Sequence, residues 1–89
     1  MTTAYTYING ERVDIPQNFI QARKLGWHRA GPDCINVLQE DEIFQWCRQT
    51  FAGNSFGLFA EYSHTYGRYQ HYFWFLYEQD AVLCNLRWA

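Results

Sequence analysis

The stretch YQHYFWFLY, residues 69–77, decides the fold, because six of its nine residues are Phe, Trp or Tyr. Aromatic residues favour β-strands, and the side chains of a strand alternate between its two faces. One face would carry Tyr69, His71, Phe73, Phe75 and Tyr77, and the other Gln70, Tyr72, Trp74 and Leu76. Since Phe73 and Phe75 have no polar atom, we expect the first face to be the core.

The preceding segment, FGLFAEYSH at residues 56–64, is predicted to be the antiparallel partner of this strand, with a turn at 65–68. Glu61 and Ser63 favour water, so the alternating residues from Phe56 to Tyr62 should face the helices. The second face of the strand pair would then expose an aromatic surface, formed by Phe59, Glu61, Tyr72, Trp74 and Leu76.

Such an apolar surface marks an interaction site when it is exposed, and Tyr and Trp dominate interface hot spots. Three alternatives for what covers it stay open. The N-terminal hairpin could fold over it, a second copy of the chain could form a homodimer through it, or a foreign partner could bind it.

The rest of the chain predicts short elements. Asn9-Gly10 is typical of a type I′ turn and predicts a hairpin with strands at 4–8 and 11–14. A helix should start at Pro16 and end before Gly26. A loop at 27–33 and a strand at 34–38 follow. Three acids at 40–42 open a helix that Gly53 closes, and the acids at 78–80 open the last helix.

The element order is therefore ββα-βαββα within a single domain, residues 1–89. We expect the α+β class, with one antiparallel sheet, two to three helices on one face of it, and a ferredoxin-like arrangement in the second part.

Composition narrows the function. The net charge of −2 argues against an extended phosphate-binding surface. The sequence has neither a run of about 18 apolar residues nor a signal peptide at its start, so we expect no membrane partner. Three widely spaced cysteines then indicate reduced thiols and a cytoplasmic location.

The sequence gives little support for a catalytic site or a metal site. No Cys or His pair has the spacing of a structural zinc site. Cys47 and Cys84 lie on apolar helix stripes and are expected to be buried, inert thiols. Cys34 with His28 or His64 is a conceivable nucleophile pair, but no catalytic motif surrounds it. We therefore expect a non-enzymatic protein without metal or cofactor.

The segment ARKLGWHRAG, residues 22–31, places Arg23 and Arg29 around Trp27. These residues could meet phosphate or an acidic protein surface, or they could be the solvated end of a helix whose cations favour its dipole.

The segment GRYQHYFWFLY, residues 67–77, resembles the RNP1 strand of RNA recognition motifs, although its Gly67-Arg68 order is reversed. The resemblance implies single-stranded RNA binding, with bases stacked on Tyr72 and Trp74 and phosphates held by Arg68 and Arg23.

The ending YFWFLYEQDAVLCNLRWA, residues 72–89, resembles that of small phage-encoded proteins, through Asp80-Ala81 and the final Leu86-Arg87-Trp88. This implies a phage origin. By analogy with anti-CRISPR and other counter-defence proteins, it implies an inhibitor that binds a host protein or ribonucleoprotein complex in the host cytoplasm. The residues expected to bind are Trp74, Tyr72, Phe59 and Glu61 on the sheet, and Trp27 and Arg29 in the loop.

Overall fold

A computed structural model describes residues 4–31, 37–51 and 53–88, and it has the α+β architecture that was expected. Its elements in chain order are β1 (Tyr5–Ile8), β2 (Glu11–Asp14), α1 (Phe19–Lys24), β3 (His28–Ala30), α2 (Val37–Thr50), β4 (Phe56–Ser63), β5 (Arg68–Phe75) and α3 (Glu78–Trp88).

The first two strands form a separate two-stranded antiparallel sheet. Tyr5 lies opposite Asp14 and Ile8 opposite Glu11, which leaves a two-residue turn. The backbone φ angles of Asn9 and Gly10 are 52° and 82°. Because a type I′ turn needs positive φ at both positions, the turn prediction is confirmed.

The aromatic strand β5 is the centre of the second sheet, whose strand order is β3-β5-β4. β5 is antiparallel to both neighbours, with Phe56 opposite Phe75 and Ser63 opposite Arg68 in the pair with β4. β3 and β4 therefore run in the same direction on either side of β5, and α2 connects them. This is a split β-α-β arrangement.

The third strand that the structure describes differs from the one predicted at 34–38, of which only residues 37 and 38 are described. The strand is His28–Ala30, inside the segment predicted to be a loop, and it pairs with β5. Val37 and Leu38 belong to α2, and residues 34–36 lie outside the described residues. A three-residue strand is too short for alternation to reveal it. It is a strand because its backbone pairs with β5, and nothing in its own three residues predicts that pairing.

Helix α1 starts later than predicted. Asn18, with φ of −156°, is its N-cap, and its side chain accepts a hydrogen bond of 2.9 Å from the Gln21 amide. The helix ends before Gly26, as expected, and the φ angle of Gly26 is 81°. The amide of Trp27 donates to the carbonyl of Ala22 at 2.9 Å, as in a Schellman motif. This motif turns Trp27 back towards the helix.

Helices lie on both faces of the β3-β5-β4 sheet, so the expectation of a single helix-covered face was incomplete. On one face, α2 and α3 pack in what we term the α2–α3 core, formed by Ala30, Ile43, Cys47, Phe73, Phe75, Ala81 and Cys84. On the other, α1 contributes to the α1 core, formed by Ala22, Trp27, Tyr72 and Trp74, against which Val13, Phe19, Phe59 and Leu76 pack.

Candidate functional site

The side chains of β5 alternate between the two faces of the sheet, as predicted. Phe73 and Phe75 are fully buried in the α2–α3 core. Tyr72 and Trp74 point to the opposite side and join the α1 core. The identification of Phe73 and Phe75 as the helix-packed core face is therefore confirmed.

The interpretation of the second face as open was wrong for its central residues. Trp74 is only 5% exposed and Tyr72 only 8% exposed. Ala22 of α1 is fully buried in the same cluster, and its single methyl group lets the helix approach the rings closely. The sequence left three alternatives for what covers Trp74, and the structure shows cover by the chain itself. Ala22 of α1 and Trp27 form the cluster with it, and Val13 of the first hairpin packs against that cluster.

Three of the residues expected to bind a partner come together where this face remains accessible. Arg29 on β3, Tyr72 on β5 and Glu61 on β4 lie on adjacent strands. Nη1 of Arg29 lies 3.2 Å from Oε2 of Glu61. The guanidinium carbon lies 4.5 Å from the centroid of the Tyr72 ring, within the range of a cation–π interaction. From the sequence, Arg29 was expected in a loop, apart from Tyr72 and Glu61 on the sheet. The fold brings these three residues into contact.

This trio lines a cleft of about 380 Å³ together with residues 62–66, which are the end of β4 and the turn after it. We term it the Arg29 cleft. The Arg29 side chain is 45% exposed, whereas that of Glu61 is 17% exposed. The charge that the trio presents to solvent is therefore mainly that of the guanidinium.

Glu61 of this trio has a buried polar neighbour, Gln70. Glu61 and Gln70 face each other across β4 and β5. Among the described residues, Oε1 of Glu61 and Nε2 of Gln70 have no hydrogen-bond partner, although both atoms are buried. The ion pair with Arg29 holds Glu61 in a position where its second carboxylate oxygen is buried without a partner among the described residues. Leaving a buried polar group unpaired costs about 1–3 kcal/mol of stability.

A second feature, which the sequence did not predict as a site, is the end of the β4–β5 hairpin. We term the hairpin tip the segment 62–69, with its exposed aromatic side chains Tyr62, His64, Tyr66 and Tyr69. The Tyr62 ring packs edge-on against Tyr69 at 5.4 Å and against His64 at 5.2 Å. Tyr69 is 72% exposed.

Tyr62 and Tyr69 were expected beneath the helices because they alternate in phase with Phe73. Neither hydrophobic core, however, includes any residue from 60 to 71. The strands continue past the helices, and the change from Phe to Tyr and His along them was the available signal.

The remaining residues that were predicted to bind a partner or RNA do not belong to the trio. Trp27 is buried in the α1 core, and Phe59 packs against the same core. Arg23 lies in the last turn of α1, with its guanidinium 5.6 Å from the Phe19 ring. Arg68 is exposed at the first position of β5.

The thiols of Cys47 and Cys84 are fully buried in the α2–α3 core, as expected. Their mutual hydrogen bond, together with burial, raises the pKa of Cys47, so this group stays protonated. Cys34 lies outside the described residues. In the described part of the chain, no three His, Cys, Asp or Glu side chains gather as a metal site would require.

None of the described helices is both long and apolar enough to cross a membrane. Compared with protein families, with curated proteins and with solved structures, the chain matches none.

Proposed function

We propose that this chain is a non-enzymatic protein-binding module that acts by covering a surface of its partner. The observation that carries the proposal is the hairpin tip, where Tyr62, Tyr66 and Tyr69 are exposed together on the end of a strand pair. Tyrosine is enriched among interface hot spots, because it buries a large ring and still has a hydroxyl for hydrogen bonding.

The tip is well suited to this role because its position is fixed by the rest of the fold. β4 and β5 are paired over eight residues each, and their other ends are anchored by Phe56 and Phe75 in the α2–α3 core. A rigid strand pair presents its rings without the entropy loss that ordering a flexible loop would cost on binding.

The partner in this proposal is a host protein or ribonucleoprotein complex, and the chain is a phage-type inhibitor of a host defence system, similar in kind to anti-CRISPR proteins. The support for this class is the phage-like C-terminal segment and the surface described above. Fold alone does not imply such a function, so the proposal depends on the tip binding a partner in the bacterial cytoplasm.

The alternative is single-stranded RNA binding through the aromatic sheet face. Stacking needs accessible ring faces, and α1 covers Trp74 and most of Tyr72. We therefore favour protein binding. RNA binding would appear as quenched Trp fluorescence on addition of an oligouridylate at low salt, and α1 would have to move for it.

The test is quantitative capture from bacterial lysate with the immobilised 89-residue chain. We expect one partner at stoichiometric yield, lost with Tyr69→Ala and retained with Tyr7→Ala. Tyr7 is a matched control, since it is 65% exposed but lies on the first hairpin. Equal capture by both variants would show that the hairpin tip is not the contact surface.

A further inference from the structure

The cation of the Arg29 cleft is more accessible than its anion, with the Arg29 side chain 45% exposed and that of Glu61 17% exposed. Oε2 of Glu61 lies against Nη1 of Arg29, and Oε1 is buried. A cationic ligand would therefore find no free carboxylate oxygen. The guanidinium, in contrast, has five N–H donors, and almost half of the Arg29 side chain is open to solvent.

Arg29 is also held in place before any ligand arrives. Its side chain is fixed from one edge by Glu61 and from below by the Tyr72 ring, and each of the three residues is on a strand of the same sheet. A planar guanidinium held in this way is arranged to bind an oxyanion through two parallel hydrogen bonds.

Hydroxyl groups also line the cleft, on the side of the β4–β5 turn. Oγ of Ser63 accepts a hydrogen bond from the Tyr66 amide at 3.3 Å. Since a hydroxyl both donates and accepts, its own hydrogen can turn towards a ligand. Thr65 and Tyr66 also line this side.

The charges of the site and of the whole chain favour a singly charged oxyanion over a more highly charged one. Glu61 already offsets the charge of Arg29, and the whole chain has a net charge of −2. A singly charged carboxylate adds little repulsion to this site, whereas a phosphate dianion or a nucleic-acid backbone adds much more. We propose that the Arg29 cleft binds the carboxylate of an Asp or Glu side chain of the partner, while the hairpin tip packs around that residue. This inference rests on the proposed function, because it specifies the chemistry of the same contact.

The test uses the ¹⁵N-labelled 89-residue chain and two capped peptides, tetraglutamate and tetraglutamine. We expect tetraglutamate to shift the Arg29 Nε–H resonance and the amides of residues 63–66 in a saturable way, and tetraglutamine to leave them unchanged. Arg29→Gln should weaken the binding at least tenfold. Lys24→Gln, which removes the same charge from the exposed end of α1, should change it less than twofold.

Arg29→Lys keeps the charge but lacks the planar fork, so it should also bind at least fivefold more weakly. Its folding, like that of Arg29→Gln, is checked by the dispersion of the same amide spectrum. The wild-type shifts test the cleft even if neither variant folds.

The proposal is overturned if Lys24→Gln weakens binding as much as Arg29→Gln, since diffuse attraction would then explain it. It is also overturned if inorganic phosphate or octauridylate binds the cleft more tightly than tetraglutamate, or if millimolar tetraglutamate causes no saturable shift. Failure of the protein-binding function is distinguishable. In that case no partner is captured from lysate, yet the peptide titration still succeeds. If a partner is captured and Arg29→Gln retains it, the carboxylate inference fails and the binding function stands.

Discussion

Replacing Trp74 by Ala tests whether α1 covers the sheet in solution. Trp74 is the second-last residue of β5, the central strand of its sheet, and packs with Ala22 of α1 and with Trp27. If this packing holds, the substitution destabilises the fold. If the face is open and reserved for a partner, the substitution leaves stability almost unchanged and affects only binding.

The expected magnitude follows from burial. A Trp side chain removes on the order of 150–250 Å² from water, which at about 25 cal/mol/Å² corresponds to roughly 4–6 kcal/mol. Because Trp74 is 95% buried, nearly all of this is lost with Ala. Measured truncations of buried Trp cost about 3–5 kcal/mol. A domain of this length has a total stability of about 4–13 kcal/mol, so Trp74→Ala removes a large part of it.

Trp74→Phe provides the informative comparison. Nε1 of Trp74 is buried and has no hydrogen-bond partner among the described residues. Phe removes this unpaired donor, whose burial costs about 1–3 kcal/mol, and also removes part of the ring. The two effects oppose each other, so we expect a net change within about 1.5 kcal/mol.

The assay is urea unfolding followed by far-UV circular dichroism. With a slope of about 1–1.5 kcal/mol/M, Trp74→Ala should lower the midpoint by about 2–5 M, and the protein should be largely unfolded if the wild-type midpoint is in that range. Tyr69→Ala is the control. It removes an exposed aromatic ring from the same strand and should cost at most about 1 kcal/mol.

One result would refute the reasoning. Suppose that the free energy of unfolding of Trp74→Ala differs from that of the wild type by less than about 0.5 kcal/mol and that the variant keeps its sheet signal. Then α1 does not cover Trp74 in solution. The aromatic face would then be open to a second copy of the chain or to a foreign partner, two of the alternatives that the sequence left.

Three further substitutions test individual contacts. Asn18→Ala removes the N-cap of α1 and should cost about 1 kcal/mol, a fall in Tm of about 4–8 °C, while Asn18→Asp should restore most of it. A Cβ added at Gly57 would lie 2.7 Å from Cζ of Phe59, so Gly57→Ala should cost about 1–3 kcal/mol in urea unfolding. Combining it with Phe59→Leu should recover part of the loss, and simple additivity would show that this contact is not the cause. Burial raises the pKa of Asp80 above its usual 3.8, so the folded chain holds this proton more tightly than the unfolded chain. The contribution of Asp80 to stability is full below the ordinary pKa and is lost as the pH rises through the raised one. The stability of Asp80→Asn relative to the wild type should therefore increase between pH 3 and pH 7, and urea midpoints that stay parallel over this range would contradict the assignment.

Features that depend only on neighbouring residues could be predicted correctly. Alternation along 69–77 assigns Phe73 and Trp74 to opposite faces, because consecutive side chains of any strand point in opposite directions. Asn9-Gly10 specifies a tight turn, because both residues tolerate positive φ. Acids at residues 78 and 80 mark the start of the last helix, where the helix dipole favours them.

Only the tertiary structure decided what those faces meet. β3 has three residues and is a strand because β5 pairs with it. Arg29 and Glu61 are 32 residues apart and meet only because the strand order is β3-β5-β4. From the sequence, the N-terminal hairpin, a second copy of the chain or a foreign partner could equally have covered Trp74, whereas in the structure Ala22 of α1 and Trp27 pack with it. The choice depends on where the whole chain buries most apolar surface, and that sum runs over contacts between distant residues, which no short stretch of sequence contains.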